Sequence, residues 1–198
     1  MIVGLTGGIG SGKTTVAKLF SEFENVAIYI ADDEAKKLMN SSKIIKKKLI
    51  SEFGENSYNN EGLNRKYIAD KVFNNAEKLA KLNAIVHPEV RKHFQDFVSR
   101  NKDKAYIIYE AAILFESKSN QFCAKIITVI ADEKTRINRI IARDKTTEKE
   151  VRNRMQNQWN DTKKILQSNY IIKNEDLSTT KQQVVKIHNF LTKKKASV

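Results

Sequence analysis

The chain has 198 residues, of which 40% are hydrophobic and 30% are charged. That apolar fraction is enough for one packed core and argues against a disordered chain. No apolar run approaches the roughly 18–20 residues that a membrane-spanning helix needs, and a single cysteine, Cys123, excludes an intramolecular disulfide and a zinc site built from several thiolates. Since the first residues show neither the basic region nor the cleavage site of a signal peptide, we expect a cytoplasmic protein that does not enter a membrane.

The formal charge is strongly positive, at +13, with a sequence pI near 9.7. Such a balance often indicates nucleic-acid binding. However, 28 of the 36 cations are lysines scattered along the chain, a profile that a coding sequence rich in A and T would produce whatever the function. Five of the 8 arginines fall within one 19-residue window: Arg136, Arg139, Arg143, Arg152 and Arg154. Because a guanidinium pairs well with phosphate oxygens, this window predicts either a phosphate-binding element or, alternatively, a solvated helix face.

The first predicted strand, Ile2–Leu5, leads into a glycine-rich loop over residues 7–14 that fits the phosphate-binding pattern G-x-x-x-x-G-K-[ST] in full. An amphipathic helix pattern over Val16–Phe23 follows it. Glycines let backbone N–H groups wrap round phosphates, and the helix N-terminus adds its positive dipole end. The residues predicted to bind a nucleoside triphosphate are Gly8, Gly10, Ser11, Gly12, Lys13, Thr14 and Thr15. We expect Lys13 to bridge the β- and γ-phosphates and the Thr14 hydroxyl to bind Mg²⁺.

Carboxylates follow the next two predicted strands. Asp32 and Asp33 come directly after Val26–Ala31, and Glu110 comes directly after Tyr106–Tyr109. In a parallel sheet these strand ends share an edge with the glycine-rich loop. One carboxylate there could deprotonate or orient an acceptor hydroxyl, and another could hold Mg²⁺ or its waters. We assign such a function to Asp32, whereas Asp33 fits the N-cap of the following helix.

About 75 residues separate the second and third predicted strands, which is too long for a simple crossover. The interval shows helical patterns over Ile44–Phe53 and Val90–Val98, with a polar turn over Gly54–Gly62. We interpret residues 32–103 as a helical insertion over the carboxyl edge of the sheet, where ligands of α/β proteins bind.

The fourth and fifth predicted strands are Ile126–Ile130 and Tyr170–Ile172. Between them, Arg136, Arg139 and Arg143 share one face of a predicted helix. Such a face could close over a nucleotide and exclude water, which favours a kinase over an ATPase. Further helical patterns extend from Val151 through Trp159 to Ile165 and over Val184–Leu191.

These elements predict an α/β fold with a parallel five-stranded sheet flanked by helices. Most of the strands are continuous apolar runs, as expected for a sheet buried on both faces. We expect one domain of 198 residues, with a core over residues 1–31, 104–131 and 156–198, the helical insertion over 32–103, and a small lid over 132–155.

The chain resembles the dephospho-CoA kinase family of P-loop kinases. The opening Gly4–Thr14 is similar to that of the family almost letter for letter, and further similarities follow in the family's order through the chain: Ala31-Asp32 with Ala35, Leu63-Asn64-Arg65, His87-Pro88, Ile113-Leu114-Phe115-Glu116, Arg139, Arg143-Asp144, Arg154 with Gln158, and Asn174. The ordered set is more specific than the glycine-rich loop alone, because many nucleotide-binding proteins carry that loop.

The resemblance implies transfer of the γ-phosphoryl group of ATP to the ribose 3′-hydroxyl of dephospho-CoA, giving CoA and ADP. It implies that Asp32 orients or deprotonates that hydroxyl and that Arg65 and His87 lie in the acceptor pocket, where we also place Glu110 and Leu114. It further implies that Arg139 and Arg143 act on the phosphates from the lid, that Asn174 lies near the adenine, and that catalysis depends on Lys13, Asp32, Arg139 and Arg143. We expect ATP and Mg²⁺ as cofactors, no nucleic acid as partner, and a monomer.

Four residues depart from the family pattern. Ile30, Asn64 and Asn169 stand where the family usually has Asp, and Ala112 stands where it has Pro. Ile30 matters most, because one carboxylate must then do what two might share, and Glu110 could supply the second charge. The alternatives left open are another small P-loop kinase acting on a metabolite or a nucleoside monophosphate and, more remotely, a nucleic-acid-binding P-loop ATPase.

Overall fold

The structure is a computed structural model that describes residues 1–72 and 75–193. In chain order its helices and strands are β1 (Ile2–Gly7), α1 (Lys13–Ser21), β2 (Val26–Ile30), α2 (Ala31–Ser41), α3 (Lys43–Phe53), β3 (Tyr58–Asn59), β4 (Gly62–Leu63), α4 (Arg65–Val72), α5 (Ala76–Arg100), β5 (Tyr106–Glu110), β6 (Lys125–Ile130), α6 (Glu133–Asp144), α7 (Glu148–Gln156), α8 (Asp161–Leu166), β7 (Tyr170–Lys173) and α9 (Leu177–Thr192). The chain divides into two compact units, Met1–Ile30 with Asn101–Val198, and Ala31–Arg100. Residues 194–198 of the predicted core lie outside the described residues.

The first unit is built on a parallel five-stranded sheet with the strand order β2-β5-β1-β6-β7. This confirms the predicted fold class, and the observed strand ends lie within two residues of the predicted ones. The apolar runs of the strands are buried because helices cover the sheet. Side chains of α1 and α9, among them Phe20, Val184 and Ile187, pack with the strand residues Val3, Leu5, Ile108 and Ile127 in one core.

A second, smaller core holds α6 and α7 together through Ile137, Ile140 and Val151. The predicted helix from Val151 to Ile165 is wrong in its continuity, since α7 ends at Gln156 and α8 starts at Asp161. The side chain of Asn160 accepts a hydrogen bond from the Lys163 N–H and so caps a new helix. Trp159 lies in the break, where its ring stacks on Phe115.

The second unit is largely helical and contains the long helix α5, which has Pro88 in its interior. Its apolar interior is formed by residues of α3, α4 and α5, namely Ile45, Leu49, Phe53, Ile68, Val86, Val90 and Phe94. The polar turn predicted over Gly54–Gly62 contains a 3₁₀ turn and one strand of the small β3–β4 hairpin.

Asp33 does not cap a helix as predicted. The helix α2 begins at Ala31, directly after β2, so Asp33 lies in its first turn and pairs with Lys36 at 2.9 Å. Within residues 1–72 and 75–193, none of the helices combines the length and the apolar character needed to cross a membrane.

Candidate active site

The glycine-rich loop joins β1 to α1 and has the backbone that the sequence motif predicts. Gly10 and Gly12 adopt φ angles of 81° and 89°, a left-handed conformation that side-chain-bearing residues rarely adopt. Gly12 also has no room for a side chain, because a Cβ atom there would lie 1.9 Å from Nδ2 of Asn174. The loop therefore delivers its backbone directly to the N-terminus of α1, where a phosphate is favoured by both N–H groups and the helix dipole.

Two side chains of the loop are buried and polar. Lys13 is 9% exposed and its ammonium group donates to the carbonyl oxygen of Gly7 at 3.1 Å. Ser11 is fully buried, and among the described residues its hydroxyl has no hydrogen-bond partner. Since buried hydroxyl groups are normally satisfied, an orphaned hydroxyl in this loop fits an incoming phosphate oxygen. Thr14 and Thr15 are exposed in the first turn of α1.

A cavity of about 200 Å³ opens beside the loop. Its walls are Gly12, Thr15, Arg139 and the turn over residues 174–177 between β7 and α9. The Nη2 atom of Arg139 donates to the backbone carbonyl of Asn174 at 3.1 Å, whereas Nη1 is buried and has no partner within the described part of the chain. An arginine with an unpartnered NH₂ group beside a phosphate loop provides positive charge where a nucleotide would carry negative charge.

Both polar atoms of the Asn174 side chain form hydrogen bonds within the protein. Its Nδ2 donates to the Ser11 carbonyl at 2.8 Å and its Oδ1 accepts from the Thr180 hydroxyl at 3.1 Å, and the residue is only 6% exposed. Asn174 thus fastens the β7–α9 turn to the glycine-rich loop. Asn174 also lies in the cavity wall, and its position near the adenine stays a prediction.

Comparison with known proteins identifies the family. A family model described as dephospho-CoA kinase matches residues 1–180. Dephospho-CoA kinases of Fusobacterium nucleatum and Salinibacter ruber are 38% and 36% identical to the chain, over 88% and 87% of it and 89% and 88% of their own lengths. The chain belongs to the dephospho-CoA kinase family. It is therefore an ATP-dependent kinase, a phosphotransferase.

Solved structures agree with this assignment at the level of the fold. A Thermus thermophilus protein superposes with a TM-score of 0.85 at 28% identity, with 95% of each chain covered. A dephospho-CoA kinase from Campylobacter jejuni gives 0.63 at 22% identity over 98% of both chains. Shikimate kinase from Acinetobacter baumannii gives 0.57 at 14% identity over 99% of this chain and 95% of its own, so the same fold serves kinases with other acceptors.

The predicted arginine face of this family member divides into two parts. Arg136 and Arg139 lie at the glycine-rich loop, where Arg136 donates to the carbonyl of Ile9. Arg143 is exposed and forms two hydrogen bonds with Asp144, at 2.7 and 3.1 Å. Arg154 binds the same carboxylate at 2.8 Å. The contact with Arg143, and secondarily that with Arg154, holds the pKa of Asp144 below its usual range. The role of Arg143 toward ATP stays a prediction.

Glu110 and Leu114, both predicted to lie in the acceptor pocket, are both buried, Glu110 in β5 and Leu114 after it. Glu110 is the last residue of β5, is 3% exposed, and is the register partner of Ile30 on β2. A carboxylate thus lies on the strand next to the position where the family usually has its extra Asp. Leu114 is fully buried, and its Cδ2 would lie 2.7 Å from a Cβ atom at Gly4. The Leu114 side chain thus packs against β1, and its contact with the acceptor stays a prediction.

The acceptor residues predicted in the insertion all belong to the second unit. Asp32 is exposed in the first turn of α2, and Arg65 is exposed at the first position of α4. Loss of hydration and the charge of Arg91 lower the pKa of His87, while the charge of Asp32 opposes that shift. Asp32 and His87 therefore interact electrostatically. Asn64, which replaces a usual Asp, accepts a hydrogen bond from the Tyr67 N–H and keeps the role of a helix cap.

Sequence reasoning missed Lys164. This residue is fully buried and donates to the Ala112 carbonyl at 3.0 Å, with Glu116 at 3.4 Å. Burial lowers its pKa, although Glu116 opposes the shift. A continuous helix from Val151 to Ile165 would have placed this lysine on the polar face, and only the break at Asn160 turns it inward. No local signal in the sequence indicates that rotation.

Proposed function

We propose that the protein transfers the γ-phosphoryl group of ATP to the ribose 3′-hydroxyl of dephospho-CoA, producing CoA and ADP. The observation that carries the proposal is the phosphate loop of a chain in this family. Lys13 is held at the loop, and among the described residues the Ser11 hydroxyl and the Nη1 group of Arg139 have no hydrogen-bond partner. Phosphoryl transfer requires positioning and positive charge more than covalent chemistry, and these groups supply both.

On the donor side, the N–H groups of Gly8, Gly10 and Gly12 and the Ser11 hydroxyl bind the phosphates in this proposal. Lys13 leaves the Gly7 carbonyl and pairs with the β- and γ-phosphates, which stabilises the charge that spreads over the transferring group. The exposed Thr14 hydroxyl, one residue after Lys13, is suited to hold Mg²⁺, which keeps several waters and takes its other ligands from phosphates. Bound Mg²⁺ would neutralise phosphate charge. Thr15 and the 200 Å³ cavity receive the rest of the nucleotide.

On the acceptor side, Asp32 accepts the proton of the attacking hydroxyl, and Glu110 is the second carboxylate available for that step. Arg65 and His87 bind the acceptor. In the proposal, the helices α6 and α7 form the lid, and Arg139 acts on the phosphates. When the lid closes over ATP, Arg143 leaves Asp144 and binds a phosphate oxygen. The unit Ala31–Arg100 is the acceptor-binding insertion.

The test is a screen of acceptors with ADP release as the readout. Dephospho-CoA should stimulate ADP release from ATP, whereas AMP, CMP and shikimate should not, because the family that the chain belongs to is that of the dephospho-CoA kinases. The product should carry phosphate on the ribose 3′-oxygen, as determined by ³¹P and ¹H NMR. The Lys13→Ala variant, prepared identically, controls for a contaminating kinase. Stimulation by shikimate or a nucleoside monophosphate, with none by dephospho-CoA, would assign the protein to another P-loop kinase activity.

We also propose that the protein works as a monomer in the cytoplasm and has no nucleic-acid partner. The composition supports the absence of a nucleic-acid partner, since the lysines are scattered rather than clustered with aromatic residues. Sedimentation velocity should give the mass of one chain, 22.7 kDa, and duplex DNA should leave ATP turnover unchanged.

A further inference from the structure

Ile9, in the glycine-rich loop, makes three contacts with the segment that follows β6. Its carbonyl oxygen accepts a hydrogen bond from Nε of Arg136 at 3.0 Å. Its N–H donates to Oε1 of Gln158 at 2.9 Å. Its side chain packs against the small core of α6 and α7. Arg136 lies near the start of α6 and Gln158 lies just beyond the end of α7, so residues on both sides of the α6–α7 pair contact one residue of the loop.

Arg136 is itself fixed by a second contact. Its Nη1 pairs with Oδ2 of Asp161, the first residue of α8, at 2.9 Å, and the arginine side chain is only 9% exposed. A guanidinium has several donors in a planar fork, so it can bind a backbone carbonyl and a carboxylate at the same time. Charge-assisted hydrogen bonds away from solvent are stronger than neutral ones. The Arg136–Asp161 pair therefore makes a rigid support for Ile9.

The glycines on both sides of Ile9 lie directly against the same arginine. A Cβ atom at Gly8 would be 2.1 Å from Nη2 of Arg136, and one at Gly10 would be 2.6 Å from the backbone oxygen of Arg136. The guanidinium thus fills the space that a side chain at Gly8 would need. The backbone of the loop therefore packs directly against Arg136, and its path depends on the position of that side chain.

We propose that Arg136 and Asp161 are positioning residues for ATP. The pair acts through Ile9: it keeps the N–H groups of the loop in the arrangement that receives phosphates, and it joins the loop to α6 and to the start of α8. Because Arg136 acts through the Ile9 carbonyl, it is not a catalytic residue. The proposal rests on the proposed function only in that ATP is the ligand of the loop, and it is independent of which acceptor is phosphorylated.

The test compares Arg136→Gln, Asp161→Asn and the double variant with a matched pair on the same lid. Arg152 of α7 and Glu133 of α6 also form an ion pair, at 2.7 Å, but both are at least half exposed and neither has a recorded contact with the loop. Arg152→Gln and Glu133→Gln therefore remove the same charges without touching Ile9. ADP affinity is measured by calorimetry, and kcat and KM are measured with ATP and dephospho-CoA.

We expect each Arg136 or Asp161 variant to weaken ADP binding and raise KM for ATP about tenfold, with kcat and the acceptor KM changed less than threefold, because phosphate binding is lost equally in the ground and transition states. The double variant should be no worse than Arg136→Gln, since the two residues act as one unit. The control variants should match the wild type. If ADP affinity stays within twofold while only the melting temperature falls, the pair is purely structural and the proposal is overturned.

Two features keep the test decisive. If Arg136→Gln does not fold, Arg136→Lys, which keeps the charge but cannot bind Ile9 and Asp161 with the same geometry, and Asp161→Asn carry the comparison. ADP binding requires no acceptor. A protein that binds ADP as expected, but does not phosphorylate dephospho-CoA, would contradict the proposed function and leave this inference standing.

Discussion

Asp32 has the most demanding role of any single residue in the proposed reaction. It is two residues beyond the end of β2, exposed in the first turn of α2, and close enough to His87 to influence its pKa. Ile30 removes the second aspartate that the family usually has at this strand end. The nearest substitute in the sheet is Glu110, the register partner of Ile30 on β5. The proton of the acceptor hydroxyl therefore has two candidate bases, of which Asp32 is the one we assign.

Replacing Asp32 by Asn separates these possibilities. We expect KM for ATP to change less than threefold and kcat to fall about 100-fold or more, the range that a positioned general base contributes. An NMR titration should show the pKa of His87 lower still in the variant, because the charge of Asp32 raises it. Asp33→Asn, the neighbouring exposed change, is the control. A wild-type kcat in Asp32→Asn, together with a large loss in Glu110→Gln, would transfer the role of base to Glu110.

At the scale of single elements, the helix α5 contains a destabilising proline next to His87, a residue that we assign to the acceptor. It extends over Ala76–Arg100, and Pro88 lies well inside it. Proline in a helix interior has no N–H to donate and clashes with the preceding turn, at a cost of about 3 kcal/mol. That penalty falls on the residue next to His87, which we assign to the acceptor. Local rules of stability are most often broken where a site requires a particular shape.

The variant Pro88→Ala should therefore be more stable and less active. We expect the free energy of unfolding to rise by roughly 1–3 kcal/mol, measured by urea denaturation, because the helix regains a hydrogen bond. We expect KM for dephospho-CoA to rise several-fold as His87 moves, with KM for ATP unchanged. Glu89→Ala, a change at the next position of the same helix, should affect neither quantity in this way. A loss of stability in Pro88→Ala would show that the proline is already accommodated by its surroundings.

The elements differ in how well the sequence alone predicts them. The strands of the sheet follow from their apolar runs, and the glycine-rich loop follows from its motif, because both signals are local. The break between α7 and α8 is missed because Met155, Trp159 and Ile165 are spaced like a helix face, while the Asn160 cap and the Trp159–Phe115 stacking that interrupt it are specific contacts. The hydrogen bonds of Arg136 to Ile9 and of Lys164 to Ala112 join residues 127 and 52 positions apart. No periodicity indicates such pairs.

At the scale of the whole molecule, we expect the charge of +13 to affect both stability and the binding of ATP. Like charges repel one another in the folded chain, and the same field attracts polyanions such as ATP. Several of the cations are paired at the surface, as in the Lys36–Asp33 and Arg152–Glu133 contacts, and exposed pairs of this kind contribute little stability. The effect of the net positive charge on stability and on ATP binding should therefore depend on the salt concentration.

Raising the salt concentration from about 50 mM to about 300 mM shortens the screening length to a few ångströms. We expect kcat/KM for ATP to fall several-fold through KM, with kcat nearly constant, and the melting temperature to rise as repulsion is screened. Sucrose at equal osmolality is the control. Because it is uncharged and does not screen charges, it should leave kcat/KM for ATP unchanged. A kcat/KM that does not depend on salt would show that the lysine excess plays no part in capturing ATP.

The way in which the second unit is joined to the sheet also limits how such an enzyme can change its substrate. The chain leaves β2 at Ile30 and returns at Asn101 before β5, and these neighbouring strands are parallel, with Val26 beside Tyr106 and Ile30 beside Glu110. Departure and return are thus at opposite ends of the strand pair, about 15 Å apart along the strands. A short hairpin cannot make this connection. The unit that we propose binds the acceptor is also the crossover of the sheet. Evolution can therefore remodel it or replace it by another long crossover, but cannot delete it.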